Sequence, residues 1–355
     1  MPEHRIVNRR AFGKLLAAGT GALALPAAAS VQALPIKGKP LIKPARLREG
    51  DLVGLITPSG HVSDAKIEKS IRNLESLGLR VRTGKYIREG RGNYAGTVAQ
   101  RLEDLHAMFA DPDIKGIWAA NGGSGSIALL PQIDYTLIAQ HPKVFVGYSD
   151  TTALHLAIHS QTGLVTFHGP LGVSTFSDYS VRQLRAVLME PQSAWTISMA
   201  EENRAKAQTA PQFLMRTLRA GQAEGRLIGG NLSLVAALSG TRYGADFKHK
   251  LLFLEDISEP PYKVDRMLAQ LHMAGDFNSA AAVMLGIFEK CEATDNEPSL
   301  SLAETIDDQA AALRVPAVYG YSFGHVAHQC TLPMGVMARL DTDAQTVTLL
   351  ESACS

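Results

Sequence analysis

Cysteine is almost missing from this chain. Its 355 residues include three, Cys291, Cys330 and Cys354. An odd and sparse set without metal-ligand spacing argues against a disulfide framework and against a cysteine metal site. Excess charge is missing as well. Thirty-five Lys and Arg stand against 34 Asp and Glu, a net charge of +1, so a nucleic-acid or other polyanionic partner is not expected. No H-E-x-x-H pattern is present. The Gly-rich stretch Asn121-Gly122-Gly123-Ser124-Gly125-Ser126 lacks the G-x-G-x-x-G spacing of a dinucleotide site and the lysine of a P-loop. Nothing in the sequence therefore demands a cofactor or a metal. What is there is apolar: 46% of residues are hydrophobic and 19% charged, enough to bury a core in a chain long enough for two domains.

The first residues read as an address. Arg9-Arg10 precede an apolar, Ala-, Gly- and Leu-rich run from Leu15 to about Ala29, and Val31-Gln32-Ala33 has the small-x-small form of a cleavage site. Residues 1–33 are expected to be a twin-arginine type signal peptide, which places the mature chain in the periplasm without a stable membrane span. A retained anchor is the alternative. Residues 34–48, rich in Pro and Lys, read as a linker.

From residue 49 onward, short apolar strands alternate with amphipathic helices. In Gly50 to Gly60 an apolar strand runs into a Pro/Ser/Gly turn, and a helical pattern follows from Asp64 to Leu77. Leu79 to Val81 is a strand, Ala99 to Phe109 a helix, and Ile114 to Ala119 a strand. Such alternation predicts an α/β fold with a doubly wound, mainly parallel sheet over residues 49–170. The pattern turns irregular from Gly169 to Gln208, and residues 171–224 read as a connection between domains. Residues 225–355 are expected to form a smaller C-terminal α/β domain with a β-rich end. It would contain strands near Arg226–Gly230, Lys250–Asp256, Ala281–Phe288 and Val315–Tyr321. A hairpin of Gly335–Asp341 with Thr346–Leu350 would close it.

The most informative stretch is Lys143 to His155, K-V-F-V-G-Y-S-D-T-T-A-L-H. Val144-Phe145-Val146 reads as a buried strand, and the residues after Asp150 read as a helix. Ser149 then lies in a sharp strand-to-helix turn, beside the free N–H groups and positive pole of the new helix. That is the logic of a nucleophile elbow, although Thr151 stands where the second Gly of G-x-S-x-G belongs. Asp150 or Thr151 is a plausible N-cap of that helix, and the plainer reading is that Ser149 and Asp150 simply cap it. The Gly-rich loop has a similar choice. It is either a tight turn or an oxyanion hole, with the Gly123 N–H paired with that of Asp150.

A nucleophile needs a base and an orienting acid. Glu255 ends one strand and His325 follows another, giving the chain order Ser149, Glu255, His325 of α/β-hydrolases. Asp256 and Glu259 compete with Glu255. His155, His159, His168 and His328 compete with His325. His155 and His159 share a helix face, and a metal site there is a further alternative.

Several stretches together carry a resemblance. They are G-G-S-G-S…L-L-P-Q-I-D at Gly122–Asp134, G-Y-S-D-T-T-A-L-H at Gly147–His155, G-G-N-L-S-L at Gly229–Leu234, L-F-L-E-D at Leu252–Asp256, P-Y-K-V-D-R-M-L at Pro261–Leu268 and G-H…T-L-P-M-G at Gly324–Gly335. In these the chain resembles the L,D-carboxypeptidases of serine peptidase family S66, a group that includes the microcin C immunity hydrolases. The resemblance spans about Arg48 to Leu350. It implies Ser149 as nucleophile, Glu255 in preference to Glu259 as acid, His325 as base, amide donors from Gly123 and Asp150, a site between two domains, no metal and a homodimer. The activity it implies is release of the terminal D-Ala from a murein tetrapeptide. Asn121 departs from the Arg that many members carry there, and the signal peptide departs from the cytoplasmic relatives that recycle murein. The rivals are a microcin-type amidase, which needs an aromatic clamp such as Trp195, and an exported peptide-binding protein without chemistry.

Overall fold

The computed structural model describes residues 39–294 and 298–355. The expected signal peptide lies outside the described residues. The strands of the first half are β1 (Leu52–Ile56), β2 (Arg80–Thr83), β3 (Ile114–Ala119), β4 (Val144–Gly147) and β5 (Phe167–His168). All four neighbouring pairs among them are parallel, in the order 2-1-3-4-5. Helices α1 (Asp64–Glu75), α2 (Val98–Ala110), α3 (Tyr135–Gln140) and α4 (Thr152–Thr162) lie between strands in the chain. A parallel sheet covered by helices is buried on both faces, which is why β4 reads as an unbroken apolar run and is wholly buried. This order reverses direction between β1 and β3, and ligands of such sheets bind outside the carboxyl ends of the strands near that point.

The second half builds a wider sheet. Its strands are β6 (Trp195–Ile197), β7 (Arg216–Arg219), β8 (Gln222–Asn231), β9 (Lys250–Glu255), β10 (Ala282–Gly286) and β11 (Ala317–Tyr321). After β12 (Leu332–Pro333) come β13 (Met337–Asp341) and β14 (Thr346–Leu349). The spatial order is β6-β14-β13-β8-β9-β10-β11-β7. The core β8-β9-β10-β11 is parallel and the flanks are antiparallel, including the expected hairpin of β13 with β14. Eight strands against six make this the larger sheet, where a smaller domain was expected. The difference comes from residues 171–224, read as a connection, which supply β6 and β7. Residues 39–48, read as linker, pack onto the fold: Ile42 bridges to Leu164 and Leu47 is fully buried.

The two sheets share one continuous buried cluster. They also meet through the chain. β12 pairs antiparallel with β5 and so joins the first sheet, although it comes from the second half of the sequence. Immediately after it, the Met334 N–H donates to the Thr166 carbonyl and the next N–H, of Gly335, donates to the Leu227 carbonyl of β8. At the other junction, the Thr152 hydroxyl accepts the Asn231 N–H at 3.0 Å, which joins the start of α4 to the end of β8. Among the described residues no helix is long and apolar enough to cross a membrane.

Candidate active site

Ser149 lies just beyond the carboxyl end of β4. Its φ is 62°, in the left-handed region, which costs an L-residue about 1–2 kcal/mol. The segment Ser149–Thr151 forms one tight turn and α4 starts at Thr152. The structure explains the altered elbow. A Cβ on Gly147 would stand 2.8 Å from Thr151 Cγ2 and 3.0 Å from its Oγ1, so the glycine before the serine makes room for the threonine after it. Of the two expected caps, Thr151 takes the position and Asp150 does not. Thr151 holds the N-cap position with helical dihedrals and no side-chain cap. The Asp150 carboxylate turns away to accept the Ser126 N–H at 2.9 Å, while the Ser126 hydroxyl donates to the Asp150 carbonyl at 2.6 Å. Asp150 thus ties the elbow to the Gly-rich loop.

Glu255 ends β9, fully buried. His325 follows β11 in a turn whose Gly324 has φ 106°, and a Cβ there would lie 2.7 Å from Glu255 Oε2. Only glycine lets that turn approach the carboxylate. His325 Nδ1 lies 2.8 Å from Glu255 Oε2, and its Nε2 lies 3.0 Å from Ser149 Oγ. An ionised carboxylate can only accept, so Nδ1 carries the proton and Nε2 is left to accept the serine hydroxyl. The edge-on ring of Tyr148, 4.8 Å away between centroids, packs against the imidazole.

The electrostatics follow from burial and pairing. Burial is the largest single influence on His325 and disfavours its charged form. The charge and hydrogen bond of Glu255, helped by the charge of Asp256, outweigh it and hold the imidazole above its ordinary pKa. For Glu255 burial again acts first and would raise the carboxyl. The charge and hydrogen bond of His325, with His168 beyond it, pull it below the usual carboxylate range.

None of the competing residues joins this chain of hydrogen bonds. Asp256 accepts from Asn231 Nδ2 at 2.9 Å and from the Ser233 N–H and hydroxyl at 2.9 and 2.7 Å. Glu259 pairs with Lys263 at 3.1 Å. His155 bonds the Gly147 carbonyl and His159 the Leu164 carbonyl. Burial pushes His155 down to about 3. His168 is fully buried, with Phe253 and Phe323 edge-on to it, and burial pushes it down to about 4. His328 stands 3.8 Å from Glu202. Among the described residues no group of three or more His, Cys, Asp or Glu gathers as a metal site.

Gly122 packs directly on the serine: a Cβ there would be 2.9 Å from Ser149 Cβ and 3.0 Å from its Oγ. The next residue, Gly123, is exposed, with φ 109°. Among the described residues neither the Gly123 nor the Asp150 amide donates to a backbone or side-chain acceptor, as a pair of oxyanion donors requires. Sequence reasoning missed Arg101 and Tyr148. Arg101 is 4% exposed, and its Nη1 donates to the Pro58 and Gly125 carbonyls at 2.9 and 3.0 Å. Its signal was available, since it shares helical spacing with the buried Leu105 and Met108. Trp195 lies on the outer strand β6, its indole N–H donating to Gln183 at 2.8 Å. Four strand spacings separate β6 from β9, about 19 Å. It does not clamp the site.

Comparison with known proteins agrees across the chain. The family model for the LD-carboxypeptidase N-terminal domain matches residues 53–169, and that for the C-terminal domain matches 224–340. A probable murein peptide carboxypeptidase of Bacillus subtilis is 38% identical over 312 residues, covering 86% of this chain and 94% of the relative. A murein tetrapeptide carboxypeptidase of Pseudomonas aeruginosa is 35% identical over 298 residues, covering 81% and 92%. The solved structure of the microcin C7 self-immunity protein MccF superposes with a TM-score of 0.79 at 26% identity, covering 88% of this chain and all of that one.

Proposed function

The chain belongs to the LD-carboxypeptidase family, peptidase family S66, and from that premise we propose that it is a serine-type L,D-carboxypeptidase releasing the terminal D-alanine of murein tetrapeptides. The observation that carries the reading is His325 held between Glu255 at 2.8 Å and Ser149 at 3.0 Å. In this mechanism Ser149 Oγ attacks the scissile carbonyl and passes its proton to His325 Nε2. The Glu255 carboxylate stabilises the imidazolium that forms. Negative charge on the carbonyl oxygen is met by the Gly123 and Asp150 amides. His325 then gives its proton to the departing D-alanine nitrogen, leaving an acyl ester on Ser149. Water, deprotonated by His325, hydrolyses that ester and frees the serine.

Incubation of the purified protein with tetrapeptide, read by mass spectrometry, is expected to show loss of one alanine. An unchanged tetrapeptide alongside a cleaved peptide-nucleotide conjugate would instead select the immunity-type activity. The likeness to MccF motivates that second reading, but its candidate clamp, Trp195, lies on the outer strand β6 away from Ser149.

The same reading places the enzyme in the periplasm, on the strength of Arg9-Arg10 and the apolar run behind them. Changing both Arg9 and Arg10 to Lys is expected to abolish recovery of the protein from the periplasmic fraction. Undiminished recovery of that double variant would remove the twin-arginine assignment.

A further inference from the structure

We infer that Gly60, in the loop after β1, is a positioning residue that aims the Gly123 amide at the oxyanion. The inference rests on the serine mechanism above and concerns what holds its geometry. The loops after β1 and β3 emerge side by side where the strand order reverses. There the Gly60 N–H donates to the Gly122 carbonyl at 2.9 Å. That carbonyl and the Gly123 N–H belong to one planar trans peptide, so they point in opposite directions. Holding the oxygen at Gly60 turns the Gly123 N–H away from Gly60 and leaves it free to donate.

The contact has no slack. A Cβ on Gly60 would stand 2.8 Å from the Gly122 oxygen and 3.4 Å from Gly123 Cα. Seen from the other side, a Cβ on Gly123 would be 3.0 Å from Gly60 Cα. Gly122 in turn lies against Ser149, so Gly60, Gly122 and Ser149 touch in series. Both loops are pinned from outside. Arg101 bonds the Pro58 carbonyl of one and the Gly125 carbonyl of the other. The Ala95 N–H donates to the Ser59 carbonyl and the His61 N–H to the Asn93 carbonyl. Residue 60 is flanked closely by the bonds at Pro58, Ser59 and His61, whereas the backbone of the other loop is held at Ala120 and Gly125, two residues either side of the 122–123 peptide, so a side chain at residue 60 displaces that peptide. The φ of Gly60 lies outside the left-handed region, so alanine meets an obstacle only in that contact.

The test is Gly60→Ala, checked for folding by thermal melting and assayed with tetrapeptide. Displacing one donor by a fraction of an ångström is expected to lower kcat about tenfold with KM within about twofold. The affinity for a peptide boronic acid, with boron at the scissile carbonyl, should fall by the same factor as kcat. The affinity for the product tripeptide should stay unchanged. That split is the signature of a lost oxyanion contact, which a general loosening of the cleft does not produce. Normal kcat in folded Gly60→Ala overturns the proposal, and so does an equal loss of boronate and product affinity. If Gly60→Ala yields no folded protein, Arg101→Lys decides, because it loosens both loops without adding an atom beside Gly122. The same split in that variant supports the proposal, and its absence overturns it. A wild-type protein that neither turns over tetrapeptide nor binds the boronate fails earlier, at the serine mechanism itself.

Discussion

Ser149→Ala is expected to lower kcat on the order of a millionfold while leaving the fold intact. The serine oxygen is the only atom removed, and its hydrogen bond is to His325 at 3.0 Å. The alanine variant also keeps the left-handed turn, so its stability should change little. His325→Ala should lose about as much activity, because without Nε2 the hydroxyl has no acceptor for its proton. The double variant Ser149→Ala/His325→Ala should be no slower than either single one. Groups that act as one unit do not lose additively. Steady-state kinetics on the three variants, with circular dichroism as a check on folding, measures this. Near-normal turnover by a folded Ser149→Ala protein would end the covalent mechanism.

Glu255→Gln is expected to cost kcat about ten-thousandfold, less than loss of the serine, since a serine–histidine pair still reacts slowly. Its pH signature is more telling. His325 must be neutral to act as a base, so kcat/KM rises as the imidazole loses its proton. In the wild type Glu255 holds that pKa above the ordinary histidine value. The acid limb should therefore lie above about 6.5. Removing the carboxylate charge leaves burial as the main influence, and burial disfavours the imidazolium. The limb of Glu255→Gln should accordingly move to lower pH. Glu259→Gln, in which only the ion pair with Lys263 is lost, should keep both its rate and its limb. A severe loss in Glu259→Gln with a mild one in Glu255→Gln would reassign the acid.

Much of the site was legible because its parts are local. An apolar run, a sharp turn and a helix marked Ser149, and strand ends marked Glu255 and His325. What the sequence could not do was rank the histidines. His168 ends one apolar strand and His325 follows another, and what separates them is packing. One is walled in by Phe253 and Phe323, and the other hangs from a glycine turn beside a carboxylate. The cap at Asp150 was misread for a similar reason, because a loop distant in sequence claims its carboxylate through Ser126. Strand β12 is two residues long and includes Pro333, so it has no periodicity to detect. Strands β6 and β7 are short and half exposed, which is how they passed for a connection.

The short crossing at Met334-Gly335 has a kinetic consequence. Successive N–H groups of this segment bond to the first sheet at Thr166 and to the second at Leu227. Swinging the sheets apart would break both, together with the pairing of β12 to β5. The 3.0 Å approach of His325, from the second half of the chain, to Ser149, from the first, is therefore set before any substrate arrives. In the proposed reaction, capture of substrate then waits on no closing of one sheet against the other.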